Sequence, residues 1–278
     1  MSPNPEADSN RPVALVTGAA RRIGRAIALE LAAQGWALAL HHRQSLDEVQ
    51  ALAAELAQGG TPVRVLAADL ADESQTRCLA ADVVRAFGRW DAVVNNASLF
   101  EYDDIASFSY ATLIGHLSAN TAAPVLLAQR LHAHLQGRPG ARGCVVNLLD
   151  QKLWNPNPDY LSYTLSKAAL ESANTLLAQA LAPTVRVCGV APGVTLVSGP
   201  MSEQGFEQAH TMTPLGRSST PQDIAQAVAF LLKAAAVTGT TLLVDGGQHL
   251  AAQSRDVLFL TPAQPTAPAQ GAHGGACA

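Results

Sequence analysis

Val13-Ala-Leu-Val-Thr17, then Gly18-Ala-Ala-Arg-Arg-Ile-Gly24, then Arg25 to Gln34 succeed one another near the start of the chain. An apolar run of this length is the pattern of a strand buried on both faces. Ile27, Leu29 and Leu31 then fall at mixed helical spacing until Gly35 ends the helix. Strand, glycine turn and helix make a dinucleotide-binding opening. Gly18 and Gly24 let backbone approach a pyrophosphate, whose charge is met by the helix N-terminus.

Outward from this unit the alternation does not stop. Strands are expected at Trp36 to His41, Pro62 to Ala67, Asp91 to Asn95, Cys144 to Leu149, Val185 to Val190 and Thr241 to Val244. Helices are expected at Leu46 to Gln58, Glu73 to Phe87, Asp103 to Leu117, Ser118 to Leu135, Tyr160 to Leu181 and Pro221 to Leu232. Seven strands separated by helices describe a single α/β domain of the doubly wound Rossmann type, with a seven-stranded, mainly parallel sheet. It covers residues 12–250, after a flexible N-terminal segment 1–11. Two segments break the pattern. Thr195 to Thr213 is long enough to be a lid over a substrate. The tail 251–278, rich in Ala, Pro, Gln and Gly, reads as largely disordered, apart from an apolar Val257 to Leu260 that could dock on a partner subunit.

Hydrophobic residues make up 48% of the chain, enough for a sizeable core, and charged residues only 14% against a usual figure of about 25%. Alanine-rich apolar faces therefore interrupt the surface, which fits a homo-oligomer, a dimer or tetramer, better than a solvated monomer. Helices Ser118 to Leu135 and Tyr160 to Leu181 are the candidates for that contact, although their small residues could equally pack on the sheet. Net charge is -4, with no basic run to suggest nucleic acid or an anionic membrane. No signal-like N-terminus, spanning apolar run, Cys-x-x-Cys or metal-ligand spacing is present, so the expectation is a cytoplasmic protein with free thiols, no membrane partner and no metal.

The place where an NAD-binding fold carries an acidic residue for the ribose hydroxyls holds His42 and Arg43, followed by Gln44 and Ser45. An arginine there can pair with a 2'-phosphate, which favours NADPH; the alternative is a solvated loop residue. Tyr163 and Lys167 stand four apart on one helix face. A nearby ammonium favours a phenolate, so Lys167 is expected to lower the Tyr163 pKa toward neutrality for proton transfer. Asp150, across a proline-rich loop, should project from a strand end into the same volume.

With Thr17-Gly-x5-Gly24, Asn95-Asn-Ala-Ser98, Tyr163-x-x-x-Lys167 and Pro192-Gly193 in order, the chain resembles the short-chain dehydrogenase/reductase family over about residues 12 to 250. That resemblance implies that Arg21, Arg22 and Ile23 of the turn, and His42, Arg43 and Ser45, join the glycines around the cofactor. It implies that Asn96, Ala97 and Ser98 lie beside it, that Asp69 and Leu70 flank the adenine, and that Pro192, Gly193 and Thr195 line the nicotinamide side. Tyr163 would donate the proton, Lys167 hold the nicotinamide ribose, and Asn120 begin the proton relay. Asn120 could instead be a packing residue, and Asp69 a turn cap.

Three departures from the common family pattern stand out. Arg22 occupies the place of a central turn glycine, Asp150 that of the catalytic serine, and Leu99-Phe100 follow Asn-Asn-Ala-Ser98. All three occur in the pteridine reductase branch, which this sequence resembles, and which implies a small-molecule pterin substrate, with folate as a further candidate. A flat pterin can stack between Phe100 and the nicotinamide, Arg22 can bond ring acceptors or bridge to phosphate, and Ser98, Asp150 and Tyr163 complete the substrate side. The expected reaction is hydride transfer from NADPH to a C=N carbon. The alternatives are an NADPH-dependent ketone or 3-oxoacyl reductase, and a non-catalytic NADP(H)-binding sensor. Whether Asp150 works ionised, opposing Lys167, or protonated, as a donor, is open at this level.

Overall fold

The computed structural model describes residues 11–197 and 201–260; the N-terminal segment before Arg11, three residues of the expected lid, Cys277 and the tail beyond Leu260 lie outside them. Seven strands form the sheet: β1 (Val13–Val16), β2 (Ala37–His42), β3 (Val63–Ala67), β4 (Ala92–Asn95), β5 (Gly143–Leu148), β6 (Val185–Pro192) and β7 (Thr241–Val244). Their order is β3-β2-β1-β4-β5-β6-β7, and every pairing is parallel. The strand order therefore reverses between β1 and β4. In such sheets the crevice beyond the C-terminal strand ends at that point receives the ligand.

Strand alternation divides the core in two. Ala14, Val16, Leu38, Leu40, Val94 and Val146 face one layer, which receives Ile27 and Leu31 of α1 (Arg22–Ala33), Val49 and Leu52 of α2 (Leu46–Gln58), and partners further along the chain. Val13, Leu15, Ala37, Ala39, Val93 and Val145 face the other, against Leu79 and Val83 of α3 (Glu73–Phe87). Side chains of period two on both sides of a covered sheet explain why these strands read as continuous apolar runs.

The expected helix at 103–117 begins only at Tyr110. Asp104 Oδ1 accepts from the backbone of Ala106 and Ser107, and Ser109 caps the helix by accepting from Thr112 N. These short polar side chains hold a turn that competes with the helix. From Tyr110 the helix is continuous to Gln136: α4 (Tyr110–Leu117), a π-helical turn at Ser118–Ala122, and α5 (Ala123–Gln136). By length and composition it could cross a bilayer, yet Leu127, Ala128, Leu131 and Leu135 are packed into the second core layer. The next helix, α6 (Leu161–Ala180), lies along α4.

Within 195–213 the chain forms α7 (Glu203–Thr211), capped by Ser202, which accepts from Gly205 N. Then α8 (Pro221–Lys233) opens with a reciprocal Thr220–Asp223 capping box and buries Ile224 and Val228 in the first layer. The domain does not end at residue 250. Val257 and Leu258, in the short helix α9 (Val257–Leu260), pack with Tyr160, Tyr163, Met201 and Ala209 of the same chain. Half of the apolar run expected to serve a partner subunit is thus buried by its own chain, while Phe259 and Leu260 stay exposed.

Candidate active site

The glycine turn is held by its neighbour across the switch point. Thr17 Oγ1 accepts from the backbone N–H groups of Asn96 and Ala97, and the Asn96 amide donates to the carbonyls of Thr17 and Gly18. A Cβ on Gly24 would lie 2.1 Å from Gly18 O and 2.6 Å from Asn96 Nδ2, so only glycine fits. Arg22 adopts φ +56°, in the left-handed region where glycine is at ease. This accounts for the glycine that the family pattern carries there, and shows that arginine is accommodated against a conformational cost.

Two cavities open on this edge. A smaller one, about 230 Å³, is lined by Gly18, Arg21, Arg43, Ser45, Asp69, Leu70 and Ala97 among others. Arg21 donates to Ser45 Oγ at 2.8 Å. Arg43 is exposed and has no hydrogen-bond or ion-pair partner among the described residues. Asp69 both lines this cavity and accepts from Ala71 N at 2.9 Å, so its ligand-facing and turn-capping roles coexist. His42 does not line it and is buried, with Nδ1 unpaired. The neighbouring His41 takes that place: it accepts from Gly18 N at 3.1 Å and its Nε2 lies 3.1 Å from Ala68 O. Burial lowers its pKa to about 4, which keeps it neutral and able to accept. Strand alternation, which sets His41 opposite His42, carried the signal that sequence reading missed.

The larger cavity, about 500 Å³, is lined by Arg22, Ile23, Asn96, Ser98, Phe100, Asp150, Tyr163, Lys167, Pro192, Gly193 and Thr195. Nearly the whole expected substrate and nicotinamide set is thus brought together. Met201 of the expected lid lines it too, and lining residues that the sequence did not place there include Gln248, Gln253, Asp256, Val257 and Leu258. They arrive through tertiary packing and bear no motif. Arg22 reaches over the mouth to donate to Val197 O at 2.8 Å. Thr195 is buried, donates to Gly193 O and shares a 2.7 Å hydrogen bond with Ser219. Phe100 stacks on Tyr160 at 4.3 Å and 10°, and meets Tyr163 edge-on at 4.7 Å. Tyr160 thus covers one face of the Phe100 ring.

At the centre, Tyr163 donates from its hydroxyl to Asp150 Oδ2 at 2.9 Å, and Asp150 Oδ1 accepts from Lys152 N at 2.8 Å. Lys167 Nζ donates to Leu148 O at 2.7 Å and stands 5.7 Å from the Tyr163 ring centroid. Burial, then the Asp150 charge, pushes the Tyr163 pKa well above 10. The net direction is upward, opposite to the fall toward neutrality expected from Lys167 alone. Burial also raises the Asp150 pKa and lowers that of Lys167 to about 8, with Asp150 partly offsetting the latter. Tyrosine and aspartate are therefore both biased toward their protonated forms.

Asn120 lies in the π-turn and is buried. Its Oδ1 accepts from Leu99 N and Ser98 Oγ, while Nδ2 donates to Leu99 O and Ser166 Oγ. Ser166 in turn donates to Tyr163 O. The side-chain amide thus clamps the strand-end loop to the Tyr163 helix, which is the packing role.

A family model described as enoyl-(acyl carrier protein) reductase matches residues 18–249. The chain is 33% identical over 246 residues to a granaticin polyketide synthase putative ketoacyl reductase 2 of Streptomyces violaceoruber, covering 86% of this chain and 96% of that one. It is 32% identical to a 3-oxoacyl-[acyl-carrier-protein] reductase FabG of Staphylococcus aureus, covering 85% and 98%. Among solved structures it is similar to FolM alternative dihydrofolate reductase 1 of Brucella canis, complexed with NADP, at 38% identity and TM-score 0.81, covering 88% of this chain and 96% of that one. The Brucella suis protein, also with NADP, gives 38% identity and TM-score 0.80, covering 87% and 97%.

Proposed function

The chain belongs to the short-chain dehydrogenase/reductase family, and from that premise we propose that it is an NADPH-dependent reductase acting on the C=N bond of a pterin of the dihydrobiopterin, dihydromonapterin or folate type. The glycine cradle, closed to any Cβ at Gly24, fits a pyrophosphate, and Arg21 and Arg43 at the smaller cavity fit a 2'-phosphate. NADP in the two Brucella neighbours supports this cofactor. NADPH, when bound, supplies the hydride.

The observation that carries the substrate reading is the hydrogen bond from Tyr163 to Asp150 Oδ2. The common family pattern has a serine hydroxyl at that place, whereas this chain puts a carboxyl there that accepts from the phenol, a departure shared with the pteridine reductase branch. The Tyr163 hydroxyl lines the cavity and can pass its proton to a ring nitrogen, and Asp150, to whose Oδ2 it is hydrogen-bonded, can return one from its protonated form. Lys167 holds positive charge behind the phenol and stabilises the phenolate as it forms. Phe100 orients a flat ring, and Arg22 at the mouth offers N–H donors to ring acceptors.

A second reading, an NADPH-dependent 3-oxoacyl or ketone reductase, is favoured by the names of the sequence relatives. NADPH oxidation should be followed with dihydrobiopterin, dihydromonapterin, dihydrofolate and a 3-oxoacyl thioester in parallel. The proposal expects the highest kcat/KM among the pterins. Turnover of the thioester alone would establish the second reading, and cofactor binding with no turnover at all would indicate a sensor.

A further inference from the structure

Residues 251–258 are strapped onto the loop that follows Asp150. Asn155 Nδ2 donates to Ala251 O at 2.6 Å and Asn155 Oδ1 accepts from Gln253 N at 3.2 Å. Arg255 Nε donates to both oxygens of Asp159 at 3.0 and 2.8 Å, and Asp256 N donates to Asp159 Oδ2 at 2.7 Å. Val257 and Leu258 add apolar packing against Tyr160 and Tyr163. These anchors hold the strap independently of the Asp256 carboxylate, which adds two contacts of its own.

That carboxylate lies on the wall of the larger cavity with Asp150 and Tyr163. Its Oδ2 accepts from Lys152 Nζ and its Oδ1 from Leu258 N, each at 3.1 Å. A carboxylate offers about four acceptor positions, so two are left for a ligand. Lys152 is buried and also donates to Asp159 O. A buried ion pair is a poor source of stability, since desolvation offsets most of its attraction, and this strap already has its anchors. What the pair does provide is an acceptor beside the reacting groups whose charge is balanced, so a neutral donor can approach it. Its field also reaches them, raising the pKa of both Asp150 and Tyr163.

We infer that Asp256 is a specificity-determining residue, accepting hydrogen bonds from an N–H or O–H group of the substrate in the cavity that it lines with Phe100 and Tyr163. This rests on the pterin reading above. The donor is either the amino-bearing ring edge or a hydroxylated side chain, and the experiment separates them.

The intact chain with NADPH is assayed on two ligand pairs: a pterin against its analogue with oxo in place of the amino group, and a hydroxylated side chain against methyl. The wild type should prefer the donor-bearing member of one pair by about tenfold to a hundredfold in kcat/KM, the range for a hydrogen bond to a charged group. Asp256→Asn should collapse that ratio toward one, through KM more than kcat. Ratios unchanged in Asp256→Asn overturn the inference while leaving the pterin reading intact. Should circular dichroism show that this variant does not fold, Asp256→Ala is assayed in its place and read in the same way, and wild-type ratios near one in both pairs overturn the inference equally. Absence of turnover on every pterin by the wild type would instead bring down the underlying reading, and this inference with it.

Discussion

Lys167 is the buried cation beside Tyr163, and its pKa of about 8 against an ordinary 10.5 has two consequences of opposite sign. For stability, a depressed folded-state value means that its contribution is present above 10.5 and lost as pH falls through about 8, where the protein must bury a charged ammonium. For turnover the charged form is the useful one. The pH profile of kcat/KM, which reports the free enzyme, should therefore fall as pH rises past about 8, and a profile level through that range would remove Lys167 from the electrostatic role. Asp150 carries the complementary expectation. Asp150→Asn should lower kcat on the order of 10^2, the low end for a general acid-base group, as measured by steady-state NADPH oxidation; unchanged turnover across pH would take it out of proton delivery. Its raised pKa bears on the protonation question that sequence reading left open, because burial disfavours the ionised carboxylate.

The glycine turn between β1 and α1 is the element on which both cavities depend. Gly24→Ala would drive a methyl group into Gly18 O and the Asn96 amide. The cost should be about 1–3 kcal/mol by denaturant unfolding, as for overpacking elsewhere, with loss of NADPH affinity in a fluorescence titration. Retained affinity would mean that the turn does not cradle the cofactor. The elements read correctly from sequence are those whose identity is local: strands of period two between glycine or polar turns, and helices with capping residues, such as α3 with Asp72 accepting from Gln75 N. The misread ones depend on competition. At 103–109, Asp104 accepts from Ser107 N in a local turn that competes with the helix, while Asp103 accepts from Ser162 N, a partner that the local pattern cannot identify.

For the whole molecule, apolar side chains remain uncovered on the paired helices α4 and α6. Tyr110 is 79% exposed, Ile114 61% and Leu176 65%. A homo-oligomer, dimer or tetramer, joined through these helices is the proposed state. Light scattering after size exclusion should give a multiple of the chain mass, and Ile114→Asp with Leu176→Asp should shift it toward the monomer. A wild-type monomer would refute the assignment.

The sequence by itself determined the doubly wound sheet, the glycine cradle and the Tyr163, Lys167 and Asp150 constellation. Each of these rests on short-range spacing or on residue types with few physical alternatives. Only the tertiary structure decided that His41 replaces His42 at the smaller cavity, that the Asn120 amide is a clamp, that Tyr163 holds its proton more tightly than a free phenol, and that Gln253, Asp256, Val257 and Leu258 wall the larger cavity. These depend on which faces of β2 are covered, on how much water packing removes, and on where a segment about a hundred residues after Asp150 comes to rest. Burial and long-range contact are properties of the assembled chain, and they set the chemistry of groups that the sequence can only name.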